Sequence, residues 1–323
     1  MKTSRLILGA AALGFLVAGL WTGFAYRRDL AAARARVSVG SSLAQTKCGP
    51  IEYAVRGDGP PVLVVHGAGG GFDQGLMLGE SLHGFQIIAP SRFGYLGTPL
   101  PTDGSAEAQA DAHACLLDSL RVERAAVVAV SAGAPSAMQF CLRHAKRCSA
   151  LVLLVPLAWS DRPASSARLS PAQQFFLEHT LSSDFAFWLA THLFRGAMVE
   201  SILGTPLEDV DSASPRDQQR TYAMLDLIQP ISRRAQGLRN ERSVAQSLRR
   251  YELEEIVAPT LVASVEDCGY LTYEPARYTA EHIPGARFIG YPRGGHLWLG
   301  HDAELAAEVK AFLEGESSRT PVH

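Results

Sequence analysis

From about residue 45 onward, short apolar runs alternate with stretches whose apolar residues recur at helical spacing. Ile51–Gly57 alternates apolar and polar like a half-buried strand, and Asp58-Gly59-Pro60-Pro61 marks a turn. Val62–Gly67, Phe85–Ser91, Ala125–Ser131 and Ala150–Pro156 are continuous apolar runs, the pattern of strands covered on both faces. Between them, Ser105–Val122 and Ala134–Arg147 read as helices. Ser105 is placed to cap the first, and Pro135 sits in the first turn of the second, where its missing N–H costs nothing.

The alternation pauses over residues 157–250. That stretch carries Phe, Trp and Leu at helical spacing, as in Phe175–Phe194, but no strand-like run. It resumes with a strand at Pro259–Val265, a helix at Tyr273–Ile283, a strand at Ala286–Pro292 and a last helix at Ala303–Glu314. Such an order predicts an α/β fold: a mostly parallel sheet with helices on both faces, interrupted by a helical cap insertion. The predicted divisions are core at 45–156 and 251–316, cap at 157–250, a linker at 27–44 and a C-terminal tail at 317–323.

The first 26 residues break this pattern. Leu6–Ala25 is free of charge, with Lys2 and Arg5 before it and Arg27 and Arg28 after it. At about 1.5 Å per residue, a helix of this length spans a hydrocarbon core of about 30 Å. The expectation is a single-pass N-terminal membrane anchor. A cleaved signal ending near Gly23-Phe24-Ala25, with export of the rest, is the alternative, and a buried helix the third.

Composition narrows the function classes. The net charge of -2 gives no basic field for nucleic acid. The five cysteines form no CxxC or Cys/His pattern, so neither structural zinc nor another metal site is expected. Their odd number does not read as a disulfide framework, and one bridge stays open for an exported domain. Cys141 and Cys148 would stand about 10 Å apart along an unbroken helix, which argues against pairing them.

The chemistry gathers at Ser131. Ala129-Val130-Ser131-Ala132-Gly133 ends a buried strand and opens a helix, close to the G-x-S-x-G turn that exposes a nucleophilic serine. Serine needs a base and an oxyanion pocket. The N–H groups of Ala132 and of Ala68, in the glycine-rich stretch His66-Gly67-Ala68-Gly69-Gly70-Gly71, are the candidate oxyanion donors. Serine as a plain helix cap is the competing reading. No Lys-Ser/Thr follows the glycines, which argues against a phosphate loop.

These motifs, with a late histidine, resemble the α/β-hydrolase superfamily over roughly residues 51–314. The resemblance implies an eight-stranded sheet, a cap domain, and a triad in the order serine, acid, histidine. The base it implies is His296, in the loop after the last strand and preceded by Gly294-Gly295. His301 is the nearest rival, and His66 reads as a structural hydrogen-bonder. The acid should follow Pro259–Val265, where this chain reads Glu266-Asp267-Cys268. Ungapped comparison puts Cys268 at the acid's place. Asp267 is the expected acid, with Asp161, after the fourth buried run, as alternative and Glu266 behind it.

The expected function is a serine hydrolase acting on a small to medium, apolar ester through an acyl-enzyme, without metal or organic cofactor. A small-molecule substrate is the expected partner, with no nucleic acid. The cap aromatics Phe175, Phe176, Phe185, Phe187, Trp188 and Phe194 are candidates for an apolar pocket, or simply for packing. Competing readings are a ligand-binding or catalytically weak protein on the same scaffold, a carbon–carbon bond hydrolase, and a cofactor-free haloperoxidase-like enzyme. A membrane-tethered interaction protein with an idle pocket is a further one.

Overall fold

The computed structural model describes residues 2–161 and 180–318, with side chains for all of these except 2–12, 15 and 318. Eight strands form one sheet in the order β1-β2-β4-β3-β5-β6-β7-β8. They are β1 (Ser42–Thr46), β2 (Gly49–Arg56), β3 (Pro61–Val65), β4 (Gln86–Pro90), β5 (Ala125–Val130), β6 (Cys148–Leu154), β7 (Thr260–Val265) and β8 (Arg287–Tyr291). The β1–β2 and β2–β4 pairs are antiparallel and all others parallel. The expected eight-stranded, mostly parallel sheet is therefore present.

Alternate residues of the central strands feed two cores. Leu63, Val65, Val127, Ala129, Leu151 and Leu153 face α3 (Ala106–Ser119), α4 (Ala134–Arg143) and α10 (Tyr273–His282). Val62, Val64, Val128, Val130, Val152 and Leu154 face α2 (Phe72–Leu78) and α11 (Asp302–Ser318). Both faces of β3, β5, β6 and β7 are thus covered, which is why these strands read as unbroken apolar runs. Between β6 and β7 the chain leaves the sheet and forms a helical insertion: α5 (Asp184–Leu193), α6 (Arg195–Leu203), α7 (Leu207–Ser212), α8 (Pro215–Leu227) and α9 (Ala235–Gln246).

Two expectations about the chain's covalent and N-terminal organisation need correction. First, the structure contains disulfides Cys48–Cys115 and Cys141–Cys148. The helix expected to run through Arg147 stops at Arg143. The chain then turns back into β6, so the Cys141 and Cys148 Cα atoms are 5.1 Å apart. Second, residues 27–44 are no linker. Helix α1 (Lys2–Arg36) runs through most of them, and β1 already belongs to the sheet. The C-terminal half of α1 docks on the cap. Ala25, Leu30, Ala33 and Val37 are buried. The Tyr26 ring packs on Phe185 and Trp188, the Trp188 indole N–H donates to Asp29, and Arg36 donates to the carbonyls of Asp226, Leu227 and Gln229.

Leu30 and Val37 each bury a side chain worth about 1.5–3 kcal/mol. A chain beginning at Gly40 is therefore expected to melt well below one beginning at Thr22. Coincident thermal unfolding curves would show that α1 contributes nothing to the domain. Among the described residues, no helix is long and apolar enough to cross a membrane. Residues 6–12 of the expected span lie outside the described side chains, as the tail 319–323 lies outside the described residues.

Candidate active site

Ser131 ends β5 in a single 3₁₀ turn, Ser131–Gly133, that leads into α4. Its φ is +52°. A non-glycine residue held there costs about 1–2 kcal/mol. The surroundings enforce it. A Cβ at Gly133 would lie 2.7 Å from the carbonyl oxygens of Val65 and His66, so only glycine fits. A Cβ at Gly67 would lie 3.3 Å from the Ser131 Cβ, which sets the glycine-rich loop directly against Ser131. Ala129, where the usual motif has glycine, is fully buried in the sheet and its methyl is accommodated.

The two expected oxyanion donors are fixed from behind. In a trans peptide, C=O and N–H point in opposite directions. The Gly67 carbonyl, in the same peptide as the Ala68 N–H, accepts from His66 Nδ1 (2.7 Å), Arg92 Nη2 (3.2 Å) and Gly70 N (3.3 Å). The Ser131 carbonyl, in the same peptide as the Ala132 N–H, accepts from Leu157 N at 3.0 Å. Pulling each carbonyl away aims its partner N–H the other way. Ala68 is exposed and its N–H makes no hydrogen bond among the described residues. The Ala132 N–H stands in a first helical turn, where such groups lack intrahelical partners.

A buried polar frame holds this loop. Arg92, 6% exposed, donates to Gly67 O and Ala132 O and pairs with Glu241 of α9. One guanidinium therefore joins oxyanion loop, elbow and cap. His66 is fully buried, and its Nε2 accepts from Arg92 N at 3.0 Å. Burial, with Arg92 beside it, holds its pKa well below the ordinary histidine range, so it stays neutral. This agrees with its reading as a structural hydrogen-bonder. Arg234, also fully buried, donates to Gly70 O and pairs with Asp73 at 2.8 Å. Nothing in the spacing of Arg92, Glu241 or Arg234 marks them. They are single charged residues whose roles exist only once distant segments meet.

His296 lies in the 3₁₀ turn Gly295–Leu297 after β8 and is 7% exposed. Gly294 and Gly295 have φ of +128° and +61°, and a Cβ at Gly295 would lie 2.7 Å from Thr205. The Gly204 carbonyl, at the end of α6, accepts the N–H of both His296 (3.2 Å) and Gly269 (2.9 Å), so the cap is stitched to the loop. The Tyr270 ring meets His296 edge-on at 4.8 Å. Ser131, Cys268 and His296 follow β5, β7 and β8, so all three stand at the C-terminal edge of the parallel strands. No hydrogen bond joins Ser131 and His296 among the described residues, and such contacts commonly tighten only with substrate in place.

The expected acid is not where its role requires. Asp267 accepts the N–H groups of Gly295 (2.8 Å) and Gly294 (3.3 Å), and, after burial, its charge helps to raise the pKa of Asp209 of α7. It anchors the backbone of the histidine loop and does not reach the imidazole. Asp161 is exposed and makes no hydrogen bond to His296 among the described residues. Glu266 is exposed and makes no hydrogen bond to His296 among the described residues. The atom beside His296 Nδ1 is Cys268 Sγ, at 3.1 Å. Ungapped comparison pointed at this residue.

The cap aromatics also divide differently from expectation. Phe187 belongs to the cap's own core, and Phe185 and Trp188 pack on Tyr26 of α1. Phe194 is 55% exposed, and Phe175 and Phe176 lie outside the described residues. An apolar cap residue that reaches this loop is Ile228, whose side chain lies within 3.4–3.7 Å of a Cβ built at Gly69.

The chain matches the alpha/beta hydrolase fold family over residues 60–300. It is similar to "Uncharacterized hydrolase YcgS" of Bacillus subtilis (strain 168), with 27% identity over 277 residues, covering 82% of this chain and 95% of that one. Among solved structures, it resembles an alpha/beta hydrolase fold protein from Nakamurella multipartita, with a TM-score of 0.68 and 25% identity over 84% of this chain and 98% of that one. The esterase EaEST from Exiguobacterium antarcticum has a TM-score of 0.60 at 19% identity, over 85% of this chain and 98% of that one. The enol-lactonase from Burkholderia xenovorans LB400 has a TM-score of 0.61 at 17% identity, over 84% of this chain and all of that one. The family match takes in the elbow, the oxyanion loop and the histidine loop, and the chain belongs to the α/β-hydrolase fold family as a hydrolase of that fold.

Proposed function

We propose that the chain is a serine hydrolase of small to medium, apolar esters. The observation that carries this reading is Ser131, held at φ +52° against a loop whose Ala68 N–H has no partner among the described residues. A serine serving only to cap a helix would not need that strain. In the proposed cycle Ser131 Oγ attacks the acyl carbon, and His296 takes its proton and returns it to the leaving alkoxide. The Ala68 and Ala132 N–H groups hold the oxyanion, and water then clears the acyl-enzyme. Ile228, over the oxyanion loop, supports an apolar acyl group.

A fluorophosphonate probe is expected to label the protein rapidly and at Ser131 alone, and p-nitrophenyl esters from acetate to octanoate to be turned over with a chain-length optimum. Absence of both labelling and turnover would favour a binding protein on this scaffold.

The compartment is part of the proposal. Two disulfides suit an oxidising environment. Leu13, Leu16, Val17, Leu20, Trp21 and Phe24 of α1 are all more than half exposed, which supports membrane attachment through this helix with the hydrolase domain outside the cytoplasm. Cleavage near Ala25 would leave the docked half of α1 in place.

A further inference from the structure

We propose that Cys268 is the anionic member of the triad, a thiolate that positions His296 for proton transfer from Ser131. The inference rests on the serine-hydrolase reading and names the group that makes its base competent.

Two polar groups converge on Cys268 Sγ: the Thr272 hydroxyl donates to it at 3.2 Å, and His296 Nδ1 stands 3.1 Å away. Thr272 immediately precedes α10, so the sulfur also faces the positive end of that helix. The Ser264 hydroxyl, 3.0 Å from Thr272 Oγ1, can donate to it once the Thr272 proton points at sulfur. An apolar pocket for a neutral thiol needs none of this. The sulfur is 1% exposed, and the other four cysteines are paired in disulfides, so it is neither a surface nucleophile nor half of a bridge.

Proton placement decides whether this arrangement works. A neutral thiol that donates to Nδ1 leaves the ring proton on Nε2, and that nitrogen cannot take a proton from serine. A thiolate accepts the Nδ1–H and leaves Nε2 free. During attack the Ser131 proton moves to Nε2, and the Oγ–carbon bond forms. The imidazolium is stabilised by the thiolate, which stays unprotonated, and the Nε2 proton then goes to the leaving alkoxide. Cys268 thus positions and stabilises, as the carboxylate does in Ser-His-Asp enzymes.

The charged and titratable groups around the pair come from several elements. His296 lies on the β8 loop and Tyr270 covers its ring, while Asp267 precedes the cysteine and lies near Asp209 of α7. Arg293 pairs with Asp209 and Glu208. Burial alone would raise the thiol's pKa, but the nearby imidazole and the Thr272 donors bring it down to about 7. The competent form therefore requires loss of the thiol proton.

The test is the pH dependence of ester turnover in the full-length protein and in Cys268→Asp, Cys268→Ser and Cys268→Ala. Wild-type kcat/KM is expected to rise with pH as the thiol proton leaves. Cys268→Asp should be at least as active, with its acid limb moved to lower pH. Cys268→Ser and Cys268→Ala should lose about 10²-fold or more in kcat, by analogy with neutralising the orienting anion of other triads. Thr272→Val should move the acid limb upward. As a readout free of turnover, the ultraviolet absorbance of a thiolate should appear near neutral pH in the wild type and be absent from folded Cys268→Ser.

Serine and alanine variants with wild-type kcat and an unchanged acid limb would overturn the proposal, as would a thiol that stays protonated into alkaline pH. Failure of the underlying serine reading shows itself separately, as absent fluorophosphonate labelling of the wild type.

Discussion

Ser131→Ala is expected to lower ester turnover by about 10⁴–10⁶-fold while leaving thermal unfolding almost unchanged, following the behaviour of other serine triads. Both halves of the expectation follow from the elbow. On the serine-hydrolase reading the reaction loses its nucleophile, since among the described residues no other hydroxyl is set by a positive φ against the glycine-rich loop. The fold loses little, because Ser131 Oγ makes no hydrogen bond among the described residues, and alanine carries the same Cβ at φ +52°. What remains after the substitution is the rate supplied by binding and by the Ala68 and Ala132 donors.

Gly133→Ala should behave in the opposite way. Its new Cβ would press at 2.7 Å on two backbone oxygens of the β3 end, neither of which can rotate away. The elbow would have to open, so activity and melting temperature should fall together. Equal turnover in Ser131→Ala and wild type would remove Ser131 from the chemistry altogether. A stable, active Gly133→Ala would show that the turn is looser than its contacts imply.

The legible parts of the sequence are those where a local pattern has one physical meaning. Continuous apolar runs gave β3 to β7, because strands covered on both faces cannot alternate. Ser131 and Gly133 stood out because a strained turn demands small neighbours, and His296 because two glycines precede it. The acid was ambiguous for a specific reason. Asp267 and Cys268 are adjacent, and after β7 the chain turns so that one side chain reaches the Gly294 and Gly295 N–H groups and the other reaches the imidazole. Residue type favoured Asp267 and position favoured Cys268, and position decided the contact.

The Cys141–Cys148 bridge was missed because helical spacing continues past Arg143 in the sequence. There the backbone breaks at His144, whose φ and ψ are -125° and 46°. The docking of α1 was hidden because its apolar content reads as membrane-spanning, while the residues it buries are few and interleaved with arginines.

Acid should weaken the fold well before most carboxylates are protonated. His113, 1% exposed, lies between α3 and α4 with its Nε2 3.3 Å from Ser136 Oγ. Burial, with Arg92 and His144 nearby, lowers its pKa to about 3. In the unfolded chain it titrates at about 6.5. The unfolded state therefore binds a proton that the folded state refuses. The stability contributed by keeping His113 neutral is complete above pH 6.5 and is lost as pH falls toward 3, at about 1.4 kcal/mol per pH unit. His66 adds a second loss of the same sign, since burial and Arg92 depress it too.

Urea unfolding at several pH values between 7.5 and 4 should show this slope, and His113→Gln, which can still bond Ser136 but cannot ionise, should flatten it. An identical slope in the variant would mean that His113 is protonated in the folded state. His66 remains in the variant, neutral in the folded chain and free to titrate in the unfolded one, so His113→Gln should reduce the slope without abolishing it.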